Sequence, residues 1–100
     1  MSAAEPLLLP IAADHPAFAG HFPGHPVVPA VVLLDETLHA LAQQLTLDGH
    51  WQLLSAKFHG MVAPGEAVLL THQLRASGRI DFALHVRQRL VARGQLAVHS

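Results

Sequence analysis

The sequence predicts an α+β fold, with one long helix laid against an antiparallel β-sheet. Three observations lead there. Apolar residues recur at helical spacing between Val31 and Leu45. From Trp51 onward the chain reads as strands separated by turn residues. Within that half, Ile80, Phe82, Leu84 and Val86 alternate strictly with Asp81, Ala83, His85 and Arg87, which marks a strand buried on one face. A single helix and a run of strands bury their apolar faces as two packed layers.

The first strand is short: Leu7, Leu8, Leu9 and Ile11, interrupted by Pro10, as suits an edge or a strand end. A loop over residues 14–29 follows, with four prolines and two glycines between positions 16 and 29. Proline fixes φ and removes a backbone donor, so this stretch is neither a helix interior nor a central strand. Phe18, Phe22, Val27 and Val28 give it apolar area to bury, so an ordered loop is expected. Pro29 suits a helix start, where the missing donor is no loss.

In the helix, Val31, Leu34, Leu38, Leu41, Ala42 and Leu45 fall three and four apart. Val32 and Leu33 fill the remaining sides of the first turn, so its N-terminal half is expected to be buried on most faces. Thr46 to His50, with Asp48-Gly49, ends it. Trp51 to Val62 reads as a strand, Ala63-Pro64-Gly65-Glu66 as a turn and Ala67 to Leu74 as a second strand. Ala76-Ser77-Gly78 is the next turn. After the alternating strand, Leu90 to Val98 makes the last, with Gly94 expected at a bulge.

The chain has 100 residues, 51% hydrophobic and 13% charged, too apolar for disorder. A single domain over 1–100 is expected, with part of its apolar surface covered in an oligomer. Net charge is −1 and the six basic residues form no tract, which argues against nucleic acid. Without cysteine there are no disulfides or thiolate metal sites. No apolar run reaches the roughly 18 residues of a membrane helix. Glu5 and the lack of a basic N-terminal region argue against a signal peptide. A cytoplasmic protein is expected, with no membrane partner.

Two groups near the loop can do acid–base chemistry: His21 within it and Asp35 on the helix. Neutral imidazole titrates near pH 7 and suits a base. A carboxyl in an apolar setting is raised in pKa and can deliver a proton. The bland alternatives are a structural loop histidine and a solvated helix aspartate. Glu36, the rival acid, is rotated about 100° from Asp35. His39 shares the face of Asp35. His15, His21 and His25 have loose metal-ligand spacing, but the intervening prolines and the lack of an acidic or sulfur partner argue against a metal. His50, His59, His72, His85 and His99 read as surface residues. Arg75, Arg79, Arg87, Arg89 and Arg93 lie on late strands or turns, either as solvated faces or as a surface for an acidic partner.

The run Gly20-His21-Phe22-Pro23-Gly24-His25-Pro26-Val27-Val28-Pro29, followed by an apolar helix with an acid fourteen positions after His21, resembles the β-hydroxyacyl-acyl-carrier-protein dehydratases. Phe58 to Gly65, with its Val62-Ala63-Pro64-Gly65 turn, resembles the same family. The resemblance implies the hot-dog fold, a curled antiparallel sheet wrapped round one long central helix. It also implies dimers or multiples of dimers, His21 of one protomer facing Asp35 of the other, no cofactor, and acyl carrier protein as partner. By the same resemblance Phe22, Val27, Val28, Ala30 and Val31 line the substrate site. The Ala30 N–H donates to the thioester oxygen, and a carbonyl near Val27 orients His21. Ala30 departs from the glycine usual there; it keeps the N–H and adds a methyl group. The run Val31 to Glu36 further resembles the dehydratases of aryl polyene pigment clusters. A thioesterase on the same fold, and a non-catalytic partner in a heterodimer with another hot-dog protein, remain as alternatives.

Overall fold

The computed structural model describes residues 6–9, 11, 28–45 and 51–98. His21, Phe22 and Val27, the rest of the loop up to them, Pro10 and the helix-ending Asp48-Gly49 lie outside the described residues. The elements are β1 (Leu7–Leu8), α1 (Ala30–Gln44), β2 (Trp51–Phe58), β3 (Leu69–Leu74), β4 (Arg79–Val86) and β5 (Arg89–Val98). The five strands form one sheet in the order β1-β3-β4-β5-β2, and every pairing is antiparallel.

β4 sits at the centre because its alternation supplies an unbroken apolar face: Ile80, Phe82, Leu84 and Val86 are all buried. Leu70 of β3 and Val91 and Leu96 of β5 extend that layer. Leu33, Thr37 and Leu41 close it from the helix side. They are spaced by four and so form one line along α1. Thr37 is tolerated there because its hydroxyl donates to the Leu33 carbonyl at 2.7 Å, which leaves its methyl group free to pack.

Two expectations need correction. The buried line is Leu33–Thr37–Leu41, and the first helical turn is covered on one side only: Val31 is 71% exposed. The described sheet reaches one face of α1 and leaves the opposite face open. Gly94 is not at a bulge; it pairs in register with Phe82 and Ala56. The register shifts lie instead at Leu54 of β2 and beside Leu84/His85 of β4. Glycine is needed at 94 because a Cβ there would meet the Phe82 ring and the Ser55 carbonyl oxygen.

The turns follow their residues. Gly65 and Gly78 take positive φ values of 90° and 84°, which side-chain-bearing residues avoid. Within the first turn the Glu66 carboxylate accepts the Ala63 N–H at 2.7 Å. The last hairpin turns through Arg87, whose φ is 58°.

Candidate active site

Of the predicted acid–base pair, Asp35 is described. Its position follows from how the chain enters α1. Val28 is buried in the core and its N–H donates to the Val62 carbonyl at 2.7 Å. The segment receiving it is itself tied down. Arg89 Nη1 donates to the Met61 carbonyl at 2.9 Å, and the Arg89 guanidinium lies 3.8 Å from the Glu66 carboxylate. The exit of the Pro/Gly loop is thus anchored to the β2–β3 connection.

Pro29 then caps α1 with φ −59° and ψ 143°, and no side chain caps the helix. The Val32 and Leu33 N–H groups donate to the Pro29 carbonyl at 3.0 and 3.2 Å. The Ala30 and Val31 N–H groups have no partner among the described residues. They stand at the positive end of the helix dipole, and Ala30 is exposed.

Val31 precedes the buried Leu33 by two residues, a rotation of about 200°, and so points away from the sheet. Asp35 and His39 follow Val31 at intervals of four and are likewise exposed. The helix therefore presents one open face that carries Val31 and, about 6 Å further along the axis, Asp35; Ala30, exposed at the helix start, is rotated about 140° from Asp35. The apolar enclosure expected around Asp35 is not supplied by the described part of this chain. No ion pair joins Asp35 to His39 among the described residues. Glu36 turns toward β1, where it lines a cleft of about 330 Å³ with His39, Leu7 and Leu8.

The reading of His72 as a surface residue is corrected. It is 6% exposed, on the helix-facing side of β3 opposite Phe82, and its Nδ1 has no hydrogen-bond partner among the described residues. Desolvation lowers its pKa. The signal was available in sequence, since His72 continues the alternation of Val68 and Leu70.

On the other face of the sheet, Asp81 accepts hydrogen bonds from Gln95 Nε2 at 2.8 Å and Arg75 Nε at 2.5 Å. These bonds hold its carboxyl below the ordinary carboxylate value, with Gln95 the larger cause. The long separation of residues 81 and 95 hides this group from any local reading.

FabZ, the 3-hydroxyacyl-[acyl-carrier-protein] dehydratase of Ehrlichia chaffeensis, is 29% identical over 93 residues, covering 83% of this chain and 65% of the relative. The FabZ of Anaplasma phagocytophilum is 30% identical over 98 residues, covering 83% and 68%. That of Syntrophomonas wolfei is 30% identical over 74 residues, covering 66% and 51%. The chain thus spans about half to two thirds of the length of these curated relatives.

Among solved structures, the dehydratase heterocomplex ApeI:P from Xenorhabdus doucetiae superposes with a TM-score of 0.73 at 25% identity, covering 95% of this chain and 86% of that one. A mutant of the fluoroacetyl-CoA-specific thioesterase FlK superposes with a TM-score of 0.63 at 14% identity, covering 96% and 88%, a likeness of fold alone. The shared architecture is the hot-dog fold. The ApeI-like family, described as ApeI dehydratase, matches residues 5–95, and this chain belongs to it.

Proposed function

We propose that this chain is a catalytic dehydratase subunit. It removes water from a 3-hydroxyacyl thioester on acyl carrier protein to give the trans-2-enoyl thioester, in lipid biosynthesis of the fatty acid or aryl polyene type. The observation that carries the reading is the open face of α1, which holds Asp35, fourteen positions after His21, below a helix start whose Ala30 and Val31 N–H groups have no partner among the described residues.

Neutral His21 takes the C2 proton as the C2–H bond breaks. Asp35, protonated, gives its proton to the C3 hydroxyl; the C3–O bond breaks, water leaves and the C2=C3 double bond forms. Negative charge that grows on the thioester oxygen is met by the Ala30 N–H. Val31, Phe22, Val27 and Val28 serve the acyl chain, either as direct lining or, for buried Val28, by fixing the loop.

A second subunit supplies the enclosure that Asp35 needs. β2 is an edge strand of the described sheet, and such an edge is a ready template for pairing. Leu54 and Phe58 on it, and Met61 just beyond, are 40%, 39% and 73% exposed. The subunit is a second copy, with His21 of one protomer facing Asp35 of the other. One observation favours a second reading. The ApeI:P neighbour is a heterocomplex, which makes a non-catalytic partner of another hot-dog protein the alternative.

The test is purified protein given a 3-hydroxyacyl thioester of acyl carrier protein. Enoyl absorbance is expected, and His21→Ala and Asp35→Asn each abolish it. Free thiol released without enoyl product would indicate a thioesterase. Activity gained only on mixing with a second hot-dog protein would indicate the partner role.

A further inference from the structure

The sheet face turned away from α1 carries an uncompensated positive charge. All six lysines and arginines fall between Lys57 and Arg93, whereas five of the seven acids precede them. A net charge of −1 therefore hides a basic sheet. Strand register orders that face into two rows. Gln73, Asp81, Gln95 and Ser55 are neighbours in one; Thr71, Ala83, Arg93 and Lys57 in the next.

The first row is satisfied internally, since Asp81 is taken by Arg75 and Gln95. The second is not. Lys57 and Arg93 stand directly opposite each other across β2 and β5, and neither makes an ion pair among the described residues. Glu66 and Asp81, the carboxylates of the described residues from Trp51 onward, pair with Arg89 and Arg75. Like charges directly opposite destabilise a sheet, so this pair has a cost that an anion would remove.

There is also room for one. A concavity of about 570 Å³ opens on this face, lined by Lys57, Arg93, Ser55, Thr71 and the Arg75–Asp81 pair. Its size lies within the range of small-ligand sites, roughly 300–1,000 Å³. Ala83, between Thr71 and Arg93, is short enough to leave the floor open. Three cations and one carboxylate border the space, a balance of two positive charges. The guanidinium fork of Arg93 and the hydroxyls of Ser55 and Thr71 supply directed donors.

We propose that this concavity binds a phosphate group, clamped between Lys57 and Arg93. A dianionic, tetrahedral oxyanion matches the balance of charge and accepts hydrogen bonds from several sides at once. The site lies across the sheet from the open face of α1, so it stands or falls independently of the dehydratase reading.

The test is titration of the full chain with inorganic pyrophosphate at constant ionic strength, followed by amide NMR shifts. Saturable shifts are expected in the central residues of β2–β5 and not in α1. Lys57→Gln and Arg93→Gln should each weaken binding by about tenfold; Arg87→Gln, in the turn outside both rows, should not. Without pyrophosphate, Lys57→Gln should raise the melting temperature, because it removes the opposed charge. Absent or non-saturable shifts, or equal affinity in all three variants, would overturn the site. So would binding of polyglutamate without binding of pyrophosphate, which would mark a protein-docking face.

Discussion

Phe82 and Gly94 face each other across β4 and β5, and the Phe82 ring fills the space a side chain at 94 would need. A Cβ built on Gly94 lies 2.8 Å from Phe82 Cε2, with the Ser55 carbonyl closing the other side. Backbone cannot yield there without breaking the β2–β5 ladder. Gly94→Ala is therefore expected to cost about 2–3 kcal/mol through overpacking, measured by urea unfolding. Phe82→Leu in the same chain should return part of the loss, since the two positions share one space.

His72 gives stability a pH dependence whose sign can be worked out. Burial lowers its pKa in the folded chain below the ordinary 6.5. The unfolded chain then binds the proton first as pH falls. Stability is complete above about pH 6.5 and declines below it, by at most about 1.4 kcal/mol per pH unit from this group. His72→Leu should flatten that slope and, by removing a buried Nδ1 that has no hydrogen-bond partner among the described residues, add about 1 kcal/mol at neutral pH. Unfolding curves of both proteins between pH 7.5 and 5 decide it.

Asp81 acts in a lower window and through a different cause. Its carboxyl is held below its ordinary 3.8 by Gln95 and Arg75. Its contribution is present above about pH 4 and is lost as pH falls through the folded value. Asp81→Asn should remove an acid-limb loss below pH 4 and leave the His72 slope unchanged. Because Arg75 is largely exposed, the effect at neutral pH should stay below about 1 kcal/mol.

Arg87 occupies the left-handed region, with φ 58°, in the turn between Val86 and Arg89. The Cβ of an L-residue is crowded in that conformation. Arg87→Gly should stabilise the protein by about 0.5–1 kcal/mol, visible as a shift in urea midpoint with no change in slope.

Much of the fold was legible because its strongest signals are local. The Ile80–Val86 alternation specified a half-buried antiparallel strand, though not its central place in the sheet, and the helical spacing placed α1 within one residue at each end. What failed depended on partners distant in sequence. Gly94 looked like a bulge because its reason, the Phe82 ring, lies twelve residues earlier on another strand. His72 looked solvated because histidine usually is, although its place in the alternation pointed inward. The helix face was misjudged for a related reason. Val31, Leu33 and Leu34 are equally apolar, and composition alone does not say which one the sheet covers. At the candidate site, the place of Asp35 on α1 and the helix start at Ala30 followed from the helical pattern and Pro29. The exposure of Asp35 did not, because it depends on which face of the helix the sheet covers.

In the proposed enzyme, one reaction centre is built from His21 of one subunit and Asp35 of another. Mixing the two inactive variants, His21→Ala and Asp35→Asn, after unfolding and refolding together tests it most directly. Random pairing gives one intact centre in each mixed dimer, so dehydration should return to about a quarter of the unaltered protein's rate. If each variant is inactive alone and the refolded mixture forms mixed dimers yet stays inactive, the two groups do not meet across an interface, and the account is contradicted.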